Sequence, residues 1–155
     1  MERWYVACYK PGKDNIYRAM AALGHINSTA FCPQIRVHRP RADRPGQDRQ
    51  IIEPLFPGYL FVAFDPEVVH TSRIEQCPGI SHLLRNAGSI IPLRDHVVIE
   101  IMNLPVCYQS RPVRTSKCQK HPLIAKKLEE FAQEPNAEHR GSMFIAFLAT
   151  QGNVQ

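Results

Sequence analysis

The fold is decided by residues 51–72, IIEPLFPGYLFVAFDPEVVHTS, the most apolar and most heavily punctuated stretch of the chain. Pro54 and Pro57 lack the amide donor that a sheet requires, so a strand can begin only near Gly58. Tyr59–Phe64 then predicts a buried strand, because both of its alternating faces are apolar and need cover. One face carries Tyr59, Phe61 and Ala63, and the other carries Leu60, Val62 and Phe64.

A short helix is predicted directly after this strand. Asp65 is typical of a helix cap, and Pro66 suits the first helical position. The helix would carry His70, Thr71 and Ser72.

Length and composition limit the class of protein. With 155 residues and 13 prolines concentrated between elements, the chain fits one domain plus a small appendage better than a single compact unit. The hydrophobic fraction of 44% excludes disorder, and no apolar run approaches the ~20 residues of a membrane span. The chain start lacks the apolar core of a signal peptide, so the five cysteines are interpreted as thiols of a soluble, cytoplasmic protein.

The remaining elements complete a recognisable order. A helix ends at Gly24, the expected left-handed stop, and residues 36–49 form a basic loop or hairpin tip with five arginines. The order β-α-β-β-α-β-α is the split βαβ pattern, which predicts an α+β fold with a four-stranded antiparallel sheet flanked by helices. Its other predicted elements are strand Trp4–Tyr9, helix Ile16–Leu23, strand Ala30–Val37, strand Ile80–Arg85 and helix Asp95–Met102.

The C-terminal part is predicted as a separate unit. Residues 1–106 form the first domain, residues 107–121 lack periodicity and predict a linker, and residues 122–155 predict a small helical hairpin. Within it, Ser142–Thr150 is apolar nearly all round, so it must be buried, and both helix and strand are possible for it. The hairpin is too small to bury its own apolar residues and should dock on the first domain or on a partner.

The sequence offers little for catalysis or metal binding. The cysteines do not form a close pair of the kind that zinc sites use, and no nucleophile turn or carboxylate pair is present. We therefore predict no enzyme, no cofactor and no metal. The net charge of +5 leaves nucleic-acid contact open. The sheet pattern fits base stacking on Tyr59 and Phe61, but equally a core beneath a helix.

Several motifs resemble the N-terminal domain of NusG-type transcription elongation factors. They are Trp4-Tyr5, Pro57–Val62, Pro78-Gly79-Ile80 and Pro92 with Asp95-His96-Val97. A more detailed resemblance is to the RfaH-like antiterminators of this family, which are also found on conjugative plasmids. It is carried by Glu53–Pro57, Tyr59–Val62, Phe64–Val68, His70-Thr71 and Gly79–His82.

The resemblance implies a monomeric factor that binds RNA polymerase and suppresses pausing and termination. An apolar pocket of Tyr59, Phe61, Val98 and Ile101 would bind the clamp helices of the β′ subunit. The polar motif His70-Thr71-Ser72 would touch the gate loop of the β subunit.

The resemblance also implies contact with the non-template DNA strand. Lys10, Lys13, Arg18 and His25 occupy the corresponding basic face. The turn at Cys77-Pro78 lacks the charged residue that the family pattern has there.

In the C-terminal part, Pro122 and Lys127 stand where the family's small β-barrel has glycines, which favours helix and disfavours both a barrel and its ribosome contact. Arg140 is predicted to lie in the turn of the hairpin, and we hypothesise that it forms an ion pair with Glu53 that latches the hairpin over the pocket; the alternative is that both residues are solvated and unrelated. Exchanging the two charges should then preserve the latch. The alternative function is a single-stranded nucleic-acid-binding protein that acts independently of polymerase.

Overall fold

The computed structural model describes residues 1–12, 14–102, 107–108 and 122–152. Its strands are β1 (Arg3–Tyr9), β2 (Thr29–Phe31), β3 (Gln34–Pro40), β4 (Asp48–Pro54), β5 (Tyr59–Phe64), β6 (Ile80–Leu83), β7 (Arg85–Asn86), β8 (Ser89–Ile90), β9 (Pro92–Leu93) and β10 (Cys107–Tyr108). Its helices are α1 (Asn15–His25), α2 (Thr71–Glu75), α3 (Asp95–Met102), α4 (Pro122–Gln133) and α5 (Ala137–Gly152).

The main sheet has the order β2-β5-β1-β6, with β9 pairing to β1. All of its pairs are antiparallel, and β5 lies between β1 and β2, with Tyr5 opposite Val62. The prediction of an α+β fold with an antiparallel sheet and C-terminal helices is confirmed. Because Pro92 pairs with Tyr5, the sheet has five strands where the sequence predicts four.

The two faces of β5 enter two different apolar cores. Phe61 belongs to the core that α3, α4 and α5 cover, whereas Leu60 and Val62 belong to the core beneath α1 and α2. The predicted alternation is therefore correct, and both faces of the strand are covered.

The predicted strand Ala30–Val37 is wrong as a single element, because the chain leaves the main sheet at Pro33. Pro33 has no amide hydrogen to donate, and its carbonyl accepts a hydrogen bond from the Leu55 amide at 2.8 Å. The chain then continues as β3, which pairs with β4 and β10 in a second sheet. Residues 36–49 therefore form most of a hairpin, and Glu53 lies in its second strand, β4, opposite Ile35.

The predicted helix start at Asp65 is also wrong. The Asp65 carboxylate accepts the Glu67 amide at 2.9 Å, which closes a turn. Helix α2 begins at Thr71, and His70 is its cap. In α1, Gly24 lies within the helix and not at a left-handed stop; the left-handed residue is Asn27, with φ of 58°.

The C-terminal part is a helical hairpin. Ser142–Thr150 is helical, and Arg140 lies in the first turns of α5, not in the turn between the helices. The side chain of Asn136 caps α5 by accepting the Glu138 amide at 2.9 Å. The first two residues of the predicted linker form β10, and residues 109–121 lie outside the described residues. Within the described ranges, no helix has both the length and the apolar character needed to cross a bilayer.

Candidate functional site

Four residues that the family resemblance implies as a pocket lie together in one apolar cluster. Tyr59 and Phe61 come from β5, and Val98 and Ile101 come from α3. We call these four residues the covered face, because the C-terminal hairpin lies over them. The hairpin side chains that join the same cluster are those of Ile124, Leu128, Phe131, Met143, Phe144, Ile145, Phe147 and Leu148.

Phe144 of α5 makes the central contact with the covered face. Its ring stacks on Phe56 with centroids 4.1 Å apart and an interplanar angle of 10°. It also meets Tyr59 at 6.0 Å and Phe61 at 5.7 Å, both edge to face, which are favoured aromatic geometries. Phe131 of α4 also contacts Phe56, edge to face, with ring centroids 5.9 Å apart. The face is therefore filled by aromatic rings from the hairpin.

Arg140 joins the hairpin to β4 and the residues after it. Its side chain is completely buried, and Nη2 lies 2.6 Å from Oε1 of Glu53, which is 21% exposed. Arg140 also donates from Nε to the Leu55 carbonyl at 2.8 Å, and from Nη2 to the Pro54 carbonyl at 3.3 Å. Nη1 donates to the Glu134 carbonyl at 2.9 Å. A buried guanidinium is tolerated here because its charge is paired and its donors are satisfied.

This geometry changes the expected result of exchanging the two charges. A glutamate at position 140 would have no donors for the carbonyls of Leu55, Pro54 and Glu134, and its carboxylate would approach them as a like partial charge. We therefore expect that the exchange does not restore closure, which differs from the expectation drawn from the sequence.

A second arginine, which the sequence does not single out, binds the same carboxylate. Nη2 of Arg39 lies 3.1 Å from Oε1 and 3.3 Å from Oε2 of Glu53, and also donates to the Pro135 carbonyl at 3.3 Å. Alternation along β3 puts Arg39 on the same face as Ile35 and Val37, which contribute to the apolar cluster. That alternation was visible in the sequence, but the pairing of β3 with β4 was not.

The polar motif lies apart from the covered face. Nδ1 of His70 accepts the Ser72 amide at 3.2 Å and lies 2.8 Å from the Ser72 hydroxyl, so the motif is an ordered helix cap. His70 and Ser72 are exposed. Val69 and Ile74, which flank the motif, are buried in the opposite core. The structure therefore presents the motif and the covered face on different sides of the sheet.

The predicted basic residues lie around α1, except that Lys13 lies outside the described residues. Lys10, Arg18 and His25 are exposed, and among the described residues neither Lys10 nor Arg18 has an ion-pair partner. The Lys10 amide donates to the Gly79 carbonyl at 2.8 Å, so the turn at residues 77–79 lies beside this surface.

Two of the cysteine thiols within the described residues have raised pKa values. Burial raises the pKa of Cys8, and burial also raises the pKa of Cys77, which Arg73 lowers in part. A raised pKa disfavours the reactive thiolate. No group of three or more metal-ligating side chains occurs within the described part of the chain.

Comparison with known proteins gives the family. A family model described as "NusG: Transcription termination factor nusG" matches residues 2–102, which is more than half of the chain. A solved structure titled "Domain interaction in Thermotoga maritima NusG" is 24% identical, with a TM-score of 0.39. The match covers 67% of this chain and 57% of that one, so the chain spans less than two thirds of the length of that structure. The region that matches the family model contains the whole covered face and ends at the last residue of α3. Because the family model matches more than half of the chain, the chain belongs to the NusG family of transcription factors.

Proposed function

We propose that this protein is a transcription elongation factor of the RfaH-like antiterminator kind, which binds RNA polymerase through the covered face. One observation carries the proposal. The apolar face belongs to the region that matches the family, whereas the α4–α5 hairpin that covers it lies outside that region. The hairpin therefore occupies the surface that the polymerase would need.

The chemistry of the covered face supports a protein partner. Phe61 is 1% exposed, and Val98 and Ile101 are completely buried beneath the hairpin. If the hairpin were displaced, this side of the sheet would present a continuous apolar patch, and such patches mark interaction sites. The β′ clamp helices would supply the replacing apolar surface.

The polar motif supports a second contact. Because His70 and Ser72 are exposed on the other side of the sheet from the covered face, a domain placed between two walls of the polymerase would touch one wall with each. In this proposal, His70, Thr71 and Ser72 contact the gate loop of β. Bridging the two walls holds the cleft closed and so suppresses pausing and termination.

The exposed cations around α1 support contact with the non-template DNA strand. Lys10 and Arg18 have no carboxylate to neutralise them among the described residues, so their charges are available to phosphates. Replacing both with alanine should lower the salt slope for single-stranded DNA by roughly 0.7 for each phosphate that is no longer neutralised. An unchanged slope would assign these cations to an ordinary solvated surface.

The polymerase test must separate binding from closure, because Tyr59 belongs to the proposed binding surface and also contacts Phe144 in the closed hairpin. We would compare Arg140→Ala, which is expected to open the hairpin, with Arg140→Ala/Tyr59→Ser in co-elution and affinity measurements on elongation complexes. A hot-spot aromatic contributes about 2 kcal/mol or more, so the added change should weaken binding by at least roughly 30-fold.

The matched control is Arg140→Ala/Tyr17→Ser, since Tyr17 is 64% exposed on α1. Equal affinity of the two double variants would contradict the proposed pocket. Transcription through a terminator, measured with the same variants, connects binding to antitermination.

The alternative is a single-stranded nucleic-acid-binding protein that acts without polymerase. The exposed cations Lys10 and Arg18 favour it. However, Tyr59 and Phe61 are covered by Phe144 and so cannot stack bases in the closed form. Salt-sensitive DNA binding without co-elution with elongation complexes would support this alternative over our proposal.

A further inference from the structure

The polar motif His70-Thr71-Ser72 sits at the start of a helix that is too short to be stable by itself. Helix α2 has five residues, all of them described, and Ile74 is the one that is buried. Isolated helices shorter than about 12 residues are marginal in water, so contacts with the rest of the domain must hold α2 in place. One apolar anchor within the helix fixes its position better than its orientation. A second contact is needed to fix the orientation.

Glu75, the last residue of α2, makes this second contact with Arg85 of β7. Nη1 of Arg85 donates to Oε2 of Glu75 at 3.1 Å, and Nη2 donates to Oε1. Two parallel hydrogen bonds between a guanidinium and a carboxylate define the relative orientation of the two groups as well as their separation. The Glu75 side chain is 23% exposed and that of Arg85 is 37% exposed, so the pair is partly shielded from water.

Arg85 is itself held by the main sheet. The residue before it, Leu84, donates from its amide to the Val6 carbonyl of β1 at 2.8 Å. Arg85 then pairs with Ile90 in the β7–β8 ladder. The guanidinium therefore extends from a backbone that is fixed on both sides, and through Glu75 it connects α2 to the main sheet.

The geometry of the polar motif depends on the first turn of α2. The Ser72 amide donates to Nδ1 of His70 at 3.2 Å, and the Arg73 amide donates to the His70 carbonyl at 3.0 Å. Because Nδ1 accepts a hydrogen bond, Nε2 carries the ring hydrogen and is the nitrogen left to donate to a partner. A change in the orientation of α2 therefore moves this donor together with the helix.

From these contacts we propose that Arg85 is a positioning residue for the polar motif: through Glu75 it fixes the orientation of α2 on the main sheet and so places the motif for its contact with polymerase. The inference rests on the proposed function, because it assumes that the polar motif contacts polymerase. Arg85 acts from the far end of α2 and makes no contact with polymerase of its own.

The expected effect is modest. Partly exposed ion pairs contribute little to stability, and good bidentate geometry puts this one at the upper end of their range. Loss of the pair should therefore change the population of correctly oriented α2 by roughly two- to fivefold, and the affinity for polymerase should fall by the same factor.

The first experiment measures amide hydrogen exchange by NMR on the full chain without polymerase. Arg85→Gln should raise the exchange rate of the Gln76 amide, whose bond to the Ser72 carbonyl closes α2, by roughly two- to fivefold. Exchange in β1 and β5 should stay unchanged. Unchanged exchange at Gln76, or an equal rise throughout the main sheet, would overturn the positioning role.

The matched control is Arg41→Gln. Arg41 forms a similar two-bond pair with Asp43 and is 35% exposed, but it lies at the β3–β4 turn. Its replacement removes the same charge and should leave exchange in α2 at the wild-type rate. An equal rise in α2 for both variants would assign the effect to net charge and overturn the proposal.

The second experiment measures affinity for elongation complexes in the Arg140→Ala background, where the covered face is expected to be open. It combines Arg85→Gln with His70→Asn, because asparagine keeps an oxygen that can cap α2 but lacks the Nε2 donor. Arg85→Gln should weaken binding by roughly two- to fivefold when His70 is present and should have no further effect in His70→Asn. An effect that persists in His70→Asn would give Arg85 a contact of its own and overturn the positioning role.

A further variant tests whether Arg85 acts through Glu75. Glu75→Gln should weaken polymerase binding as much as Arg85→Gln, and the two changes together should be no worse than either alone. Additive losses would overturn the proposed route. Polymerase that binds none of these proteins would refute the proposed function, whereas the exchange experiment contains no polymerase and decides by itself whether Arg85 orders α2.

Discussion

Replacing Arg140 with alanine should release the C-terminal hairpin while leaving the first domain folded. The guanidinium is completely buried and donates to the Glu53 carboxylate and to three backbone carbonyls, those of Leu55, Pro54 and Glu134. Removing one partner of a buried ion pair costs about 3–5 kcal/mol. Glu53 keeps Arg39 as a partner, so we expect a cost near the lower limit.

A cost of about 3 kcal/mol shifts the ratio of closed to open protein by about 150-fold. Apparent affinity for a partner that binds the open form rises in proportion, until the open form predominates. The direct assay is amide hydrogen exchange in α4 and α5, which should accelerate strongly, whereas exchange in β1 and β5 should change little.

The matched control is His139→Ala, because His139 is the neighbouring residue in α5 and its side chain is 68% exposed. It should exchange like the wild type. If the amides of α4 and α5 in Arg140→Ala also exchange within about threefold of the wild-type rate, the buried guanidinium does not hold the hairpin closed, and the magnitude argued from its contacts is wrong.

The double variant Glu53→Arg/Arg140→Glu should be at least as open as Glu53→Arg alone. Recovery of closure would show that the backbone carbonyls around Arg140 contribute little.

Two further predictions concern the first domain. Gly79→Ala should lower the free energy of unfolding by at least about 2 kcal/mol in a urea titration, because φ is +85° and a Cβ would lie 2.3 Å from the Asn15 carbonyl oxygen. The control Gly24→Ala, where a Cβ would meet no atom within 4 Å, should instead stabilise the protein by about 0.5–1 kcal/mol. Equal urea midpoints for the two variants would contradict the close packing of Gly79 against Asn15. The hydrogen bond from Arg85 lowers the pKa of Glu75, so the pair should stabilise the fold above the ordinary carboxyl pKa and lose this contribution as the pH falls through the lowered value. Arg85→Gln should therefore flatten the acid limb of the stability profile, and an unchanged limb would mean that the pair is fully screened.

Local periodicity was enough to predict much of the first domain. The strand Tyr59–Phe64, the stripe of α3 and the alternation that separates Phe61 from Leu60 follow from periods of 2 and 3.6 residues, which belong to the chain itself. The errors at Pro33 and Asp65 arose where periodicity did not decide the structure: at Pro33 the pairing of β3 in a second sheet did so, and at Asp65 a competing turn. The pairing of Glu53 with Arg140 was a hypothesis from the expected positions of the two residues along the chain and did not come from periodicity.

Tertiary structure alone decided how the C-terminal part meets the first domain. Ser142–Thr150 is apolar nearly all round, so its pattern fits helix and strand alike, and packing of Phe144 against Phe56 accompanies the helical form. Glu53 and Arg140 are 87 residues apart in the chain, and Arg39 reaches the same carboxylate only because β3 pairs with β4 in one register. Periodic patterns describe a residue's own element, whereas contacts of this range depend on how separate elements pack, so the second arginine became visible only in the folded molecule.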